Sequence, residues 1–363
     1  MRALTFQGNG RVSVETVADP EIMAPTDAIV RITMAAICGS DLHVLHAGEA
    51  FGFGQGARLG HEFLGTVEAV GADVRNFRPG DRVLVGVGVT CGQCMWCREG
   101  LKASCERMSM FGWAPRLWQH GGDVQGGQSE YARVPLADGV LVALPEALAG
   151  TEHERTVLPL IDVMSTAMHG LVSGRLAGGD DVVVIGDGAV GQSAVHVARA
   201  MGADQIVCLG HHPDRLSMAT ALGATVVSAE RDPEAIRELV RGATGQQGAR
   251  VVVDTVSNTQ SMEAAFASVR SGGAIACLGM DHFMGKVPGM NWYDQFVRNI
   301  TVTGGLVPGN LYLPRLLEFA QSGAVEPSPM LTNTLPLEDA AEGYRLMAER
   351  ANGVVKVAVA TTA

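Results

Sequence analysis

The apolar positions of this chain change rhythm part-way along it. Over the first ~150 residues, short strand-like runs are cut repeatedly by glycine and proline. The clearest are Ala28-Ile29-Val30-Arg31-Ile32, Leu64-Gly65-Thr66-Val67-Glu68-Ala69-Val70 and Arg82-Val83-Leu84-Val85. That rhythm predicts a β-barrel-like domain rather than a layered α/β sheet. From about residue 165, apolar blocks alternate with stretches of helical period. Asp181-Val182-Val183-Val184-Ile185 precedes a helix expected near 190–201, and Gln205-Ile206-Val207-Cys208-Leu209 precedes another near 214–222. Arg250-Val251-Val252-Val253-Asp254 and Ala274-Ile275-Ala276-Cys277-Leu278 follow. Continuously apolar strands joined by helices predict a parallel sheet covered on both faces. No internal repeat and no low-complexity segment interrupts either half.

A chain of 363 residues is long for one core, and the change of rhythm places two domains on it. With 47% hydrophobic and 18% charged residues, it has the makings of a well-packed globule. The net charge of −11, without any Lys/Arg-rich block, argues against a nucleic-acid partner or an anionic membrane surface. No apolar stretch reaches the ~18 residues needed to span a bilayer. Met1 to Gly8 contain no apolar h-region, so no signal peptide is expected and the reducing cytoplasm is the expected compartment. Cys208 and Cys277 lie inside apolar strands and read as buried filler.

Four of the seven cysteines change the picture. Cys91, Cys94, Cys97 and Cys105 form C-x2-C-x2-C-x7-C, which suits a closed tetrahedral site for a structural zinc. A pair of disulfides is the alternative, disfavoured by the expected compartment and by neighbours only two residues apart. Gly186-Asp187-Gly188-Ala189-Val190-Gly191 is G-x-G-x-x-G, leaving an apolar strand and opening a helix as a dinucleotide fingerprint requires. Gly186 allows the tight turn, Gly188 a close backbone approach to pyrophosphate, and Gly191 close packing of helix on strand. Ala189 and Val190 begin the helix whose free N–H groups face the phosphates.

The next strand ends at Gly210, where an NAD-binding sheet would carry an acid. His211, His212 and Arg215 follow instead, so the turn predicts NADP, its 2′-phosphate meeting Arg215 and no opposing carboxylate. NAD remains possible if these residues are only an exposed polar turn.

Two further segments complete a constellation: Cys38-Gly39-Ser40-Asp41-Leu42-His43, and Gly60-His61-Glu62 followed by Gly65-Thr66-Val67-Glu68-Ala69-Val70-Gly71. Thiolate and imidazole suit zinc, but two ligands do not make a site. With Gly80-Asp81-Arg82-Val83, the four-cysteine lobe and the glycine fingerprint, these motifs run in order along essentially the whole chain. The sequence therefore resembles the zinc-dependent alcohol dehydrogenases of the medium-chain dehydrogenase/reductase superfamily, and within them the bacterial secondary-alcohol branch.

The resemblance implies a GroES-like β-barrel catalytic domain (1–160 and 302–363, with the zinc lobe at 91–105) and a Rossmann doubly wound parallel sheet (161–301). It implies a catalytic zinc on Cys38, His61 and Asp162, the last in Leu160-Ile161-Asp162-Val163. Glu62 would be an exchangeable fourth ligand or a carboxylate standing behind the others. Ser40 and then His43 would relay the alcohol proton, although Ser40 equally suits a helix cap and His43 a surface position. Trp113, in an aromatic-rich loop running to Trp118, is a candidate substrate-pocket wall or equally an interface or core residue, and the resemblance adds Leu306 as another wall. His46 and His169 read as local hydrogen-bonding residues, while Lys356 and Arg298 are candidate phosphate partners or equally solvated surface residues. The expected activity is hydride transfer between an alcohol and its aldehyde or ketone using NADP(H), in a homo-oligomer of two or four subunits. A polyol or sugar dehydrogenase, and a non-catalytic nicotinamide-binding protein, are the rival readings.

Overall fold

In the computed structural model, residues 1–113, 124–148, 150–280, 289–350 and 353–361 are described, the side chains of 151–153 excepted. The loop segment 114–118 singled out above lies outside them. The chain divides into two units, Met1–Asp162 with Pro308–Ala363, and Val163–Val307.

The first unit is organised by the ten-residue strand Ala28–Ile37. It pairs antiparallel with Glu62–Val70, Tyr131–Val134 and Val357–Ala360. Arg82–Val85 and Leu141–Ala143 extend the seven-stranded sheet on one side, and Asn333–Pro336 closes it on the other. The β-rich rhythm has a simple cause: Val30, Ile32, Phe63, Val67, Val83, Val85 and Phe111 bury one shared apolar cluster. Phe63 and Phe111 meet edge to face with centroids 5.1 Å apart, a favoured aromatic geometry. Register then positions chemistry. Val357 lies opposite Ile37 and Ala36 opposite Glu62, so Lys356, Cys38 and Glu62 converge at one end of three paired strands.

The second unit is a six-stranded parallel sheet. Its spatial order is Val226–Ser228, Ile206–Leu209, Val182–Ile185, Ala249–Asp254, Val269–Cys277, Thr301–Gly304. Numbered along the chain this is the 3-2-1-4-5-6 order of a dinucleotide-binding sheet, with its switch point beside Val182–Ile185. The four residues of that strand are all buried, as a strand covered on both faces must be. The helices expected near 190–201 and 214–222 are Ala189–Ala200 and Pro213–Leu222. Because Thr301–Gly304 pairs with Val269–Cys277 as the edge strand, the sheet runs past the boundary drawn at 301 from the sequence.

One expectation needs correction. The 20-residue helical run Glu154–Ser173 is long and apolar enough to cross a membrane by length and composition alone. It is 72% buried inside the fold, and a buried helix is apolar all round for the same reason a spanning one is.

Candidate functional site

Cys38 follows the central strand of the first unit and is the N-cap of helix Gly39–Ala47, while His61 immediately precedes the paired strand that Glu62 opens. Asp162 follows a one-turn 3-10 helix, Leu158–Leu160. Three distant segments thus deliver one donor atom each, with Glu62 a fourth, all within 4.8 Å of one another. The Cys38 Sγ lies 3.2 Å from Asp162 Oδ2, and His61 Nε2 lies 3.4 Å from the same oxygen. Ligands about 2.0–2.3 Å from a tetrahedral zinc are separated by about 3.4 Å, so these spacings fit one ion. Ser40 Oγ stands 3.5 Å from His61 Nε2, beside that position. His43 is half-buried one turn further along the same helix.

The residues that hold this cluster were not singled out from the sequence. Asp41 Oδ2 accepts hydrogen bonds from the Cys38 backbone N–H at 2.9 Å and from Gln128 Nε2 at 3.1 Å. Its Oδ1 faces His61 Nδ1 at 3.3 Å. Tyr344 donates its hydroxyl to Gln128 Oε1 at 2.8 Å, and Asp41, Gln128 and Tyr344 are all buried. Such partners fix the ring and tautomer of a metal-binding histidine. The helix therefore begins at Gly39, and Asp41, not Ser40, completes its cap. Lys356 is 1% exposed and donates to Glu62 Oε1 at 2.5 Å, which removes it from the candidate phosphate partners. Nothing in its local sequence shows this, because the two residues lie 294 positions apart. The second Glu62 oxygen, Oε2, is buried without a hydrogen-bond partner.

The electrostatics are those of a cation site. Burial, reinforced by the Asp162 charge, pushes the Cys38 thiol up to about 11. Burial alone would lower His61, but the Asp41 and Asp162 carboxylates raise it well above the ordinary imidazole range. Asp162 is raised by burial and more than compensated by His61, so its carboxyl falls far below the usual range. Burial lifts Glu62 to about 7 against the pull of Lys356. Burial disfavours the charged thiolate of Cys38, and the carboxylates around His61 call for positive charge beside them. A divalent ion would supply that charge, so the donor set fits zinc.

Cys91, Cys94, Cys97 and Cys105 form a second cluster, their sulfurs also within 4.8 Å of one another. None of the four is joined to another in a disulfide, and all four sulfurs face one point, as a metal site requires. Backbone N–H groups of Cys91 and Arg107 approach Cys105 Sγ, and that of Cys94 approaches Cys91 Sγ, each at 3.3 Å. Hydrogen bonds from the Cys97 and Glu106 backbones bring the Cys94 thiol down to about 6. Those donors make Cys94 the readiest thiolate, the form that binds metal, while burial outweighs them at Cys97 and Cys105 and pushes both thiols up. Lys102 Nζ, within the lobe, bonds Asn310 Oδ1 at 2.5 Å.

In the second unit Gly186 has φ +106°, and Gly191 is obligatory because a Cβ there would collide with the Gly186 carbonyl. Gly188 is the N-cap of Ala189–Ala200 and has no atom within 4 Å of where a Cβ would point, an open approach to the helix N-terminus. Ala189 and Val190 form its half-exposed first turn. These features fit a pyrophosphate. The sequence premise of a turn without a carboxylate does not hold, however. Asp187 Oδ2 reaches the end of the second strand and accepts from the His211 and His212 backbone N–H groups at 2.6 and 2.8 Å. Arg215 Nη1 lies 3.8 Å from Asp187 Oδ1.

Other candidates fall elsewhere. Trp113 is 4% exposed and stacks on Phe51, and with Phe53 and Met110 it lines a cavity of about 410 Å³. No residue of the Cys38 cluster lines that cavity. Leu306 is half-buried just after the strand Thr301–Gly304. His169 is half-buried, its pKa lowered by burial despite a hydrogen bond with the Gly304 backbone. His46 is exposed. Arg298 is bonded to the carbonyls of Phe266 and Val269 and to Asp294, so it too is spent on structure.

Residues 24–146 match the family model of the alcohol dehydrogenase GroES-like domain, and residues 189–322 match that of the zinc-binding dehydrogenases. A Mycobacterium tuberculosis protein described as a probable zinc-binding alcohol dehydrogenase is 33% identical, over 95% of this chain and 84% of its own. Among solved structures, the alcohol dehydrogenase TADH from Thermus sp. ATN1 is 34% identical, covers both chains completely and superposes with a TM-score of 0.91. A zinc-binding dehydrogenase from Sinorhizobium meliloti, solved bound to NADP, is 27% identical over 99% of each chain with a TM-score of 0.81. With a GroES-like domain, a Rossmann-type parallel sheet and two clusters suited to zinc, the chain belongs to the zinc-type alcohol dehydrogenases of the medium-chain dehydrogenase/reductase superfamily.

Proposed function

We propose that the protein transfers a hydride between the carbinol carbon of an alcohol and the nicotinamide of a dinucleotide, at a zinc held by Cys38, His61 and Asp162. The observation that carries this reading is the convergence of those three donors, with Ser40 Oγ beside them at 3.5 Å from His61 Nε2. When bound, zinc supplies Lewis acidity that polarises the substrate oxygen and makes its proton easier to remove. The redox change belongs to the dinucleotide.

The protein's part is charge balance and proton handling. A Cys38 thiolate, a neutral His61 and an Asp162 carboxylate together neutralise a dication. Glu62 would add a further negative charge, and Lys356 holds it back by pairing with Oε1. Its buried, unpartnered Oε2 leaves it able to exchange into the site when substrate departs. Ser40 relays the alcohol proton beside the metal position, taking it up as its own hydroxyl proton passes to the nicotinamide ribose. His43, three residues further on the same helical face, passes it towards solvent. Cys91, Cys94, Cys97 and Cys105 hold the second, structural zinc. The resemblance of the sequence to the bacterial secondary-alcohol branch makes secondary alcohols the first substrates to try.

Initial rates of zinc-loaded protein with primary, secondary, aromatic and polyol alcohols, each with NAD and NADP, test this reading. Turnover of at least one class is expected. Silence across the panel, with zinc and dinucleotide both bound, overturns it. Ser40→Ala is expected to slow alcohol oxidation by roughly 10²–10⁴-fold; a rate near wild type at every pH removes Ser40 from the relay.

A further inference from the structure

We propose that Asp187 selects the dinucleotide: it takes the place of the acid that ends the second strand in NAD-binding sheets, and it favours NAD over NADP. The proposal rests on the dinucleotide reading of Gly186–Gly191. In a sheet of this order the adenosine ribose lies outside the ends of the first two strands, and an acid at the end of the second receives the 2′-hydroxyl. Position 210 is that place, and it is glycine for a visible reason. A Cβ there would come within 2.7 Å of both Asp187 Cβ and Asp187 Oδ2. The carboxylate is present, supplied from the glycine turn of the first strand.

Its surroundings decide what it does. Oδ2 accepts the N–H groups of His211 and His212 at 2.6 and 2.8 Å, and the His212 ring lies 3.0 Å away. These are the backbone donors that would otherwise cradle a 2′-phosphate, and they are already engaged. The side chains of the turn are engaged too, since His212 Nδ1 and Arg215 Nη1 face Oδ1 at 3.1 and 3.8 Å. Gln192 locks the arrangement, its Nε2 donating to the Asp187 carbonyl at 3.1 Å and to the Arg215 carbonyl at 2.8 Å. Burial opposes the charge, but those two backbone N–H groups hold the Asp187 carboxyl below the usual range. A 2′-phosphate therefore meets a fixed negative charge whose neighbouring donors are spent, whereas a 2′-hydroxyl meets an acceptor in Oδ1. Reading His211, His212 and Arg215 alone gives the opposite preference. The fold does not decide, because the S. meliloti relative was solved with NADP.

The test is equilibrium titration of the zinc-loaded protein with NADH and with NADPH, followed by quenching of protein fluorescence. Wild type is expected to bind NADH the more tightly. Asp187→Asn keeps an acceptor for the turn while removing the charge, and Asp187→Gly removes both. Each is expected to move the affinity ratio towards NADPH by roughly 10- to 100-fold, the worth of one hydrogen bond to a charged group. The double variant Asp187→Gly/Gly210→Asp moves the acid to the strand end, into the space Asp187 vacates, and is expected to regain the NADH preference. A wild type that prefers NADPH, or variants that weaken both ligands alike and leave the ratio unchanged, overturns the proposal. Failure of wild type to bind either ligand overturns the dinucleotide reading itself.

Discussion

Asp41 shows how one side chain sets the geometry of a site it does not enter. Its two oxygens reach the Cys38 backbone, Gln128 and the His61 ring, so two proposed ligands share one support. Asp41→Asn is expected to weaken zinc binding at the Cys38 cluster by about 10- to 100-fold. The four-cysteine lobe should keep its metal, and competition with a chelating dye reads both sites; an unchanged affinity contradicts the role. The same residues give a pH dependence. With Cys38 pushed up to about 11 and His61 raised, both carry protons at neutral pH before zinc arrives. Zinc must displace them, so apparent affinity is expected to rise with pH throughout the range below about 11, where the Cys38 thiol ionises unaided. A flat profile would count against these ligands. Cys38 and His61 were legible in the sequence because their motifs are local. Asp41 was quoted in the motif, yet its role depends on Gln128, 87 residues away.

Among elements, the glycine turn and the cysteine lobe do their work through backbone geometry. Gly191→Ala would drive a methyl group into the Gly186 carbonyl and open the turn. The variant is expected to lose about 1–3 kcal/mol of stability and most of its dinucleotide affinity. Tight NADH and NADPH binding by this variant contradicts the site. Cys94→Ser removes one thiolate from a closed site and is expected to release the lobe zinc, lower the melting temperature and expose 91–105 to protease. An unchanged melting curve would mean that the lobe carries no structural metal. Strands, helices and this turn were legible because periodicity and glycine spacing are local signals. Thr301–Gly304 crosses the boundary expected at 301, because a four-residue edge strand is too short for a periodic pattern. The acid at the dinucleotide turn was missed because Asp187 comes from 24 residues before His211.

At the scale of the whole molecule, the two ends of the sequence meet in the first unit. The strand Val357–Ala360 returns to pair with Ala28–Ile37 and brings Lys356 against Glu62. No local pattern signals such a return, and for that reason the sequence around Lys356 does not show its partner. Lys356→Met leaves Glu62 buried and unpaired, at an expected cost of about 3–5 kcal/mol. Glu62→Gln/Lys356→Met should recover most of that loss in denaturant unfolding. Equal losses in the single and double variants would show that Lys356 acts through packing and not through its charge.

The central claim is that Cys38, His61 and Asp162 hold a zinc on which alcohol oxidation depends, separate from the zinc of the cysteine lobe. Asp162→Ala tests it most directly, with zinc content and alcohol oxidation measured on the same preparation. The expected result is a fall from two bound zinc ions to one, matching the two clusters. The rate should fall by about 10³-fold or more, with the lobe metal retained. A variant that oxidises alcohol at the wild-type rate with only the lobe zinc bound would contradict the account.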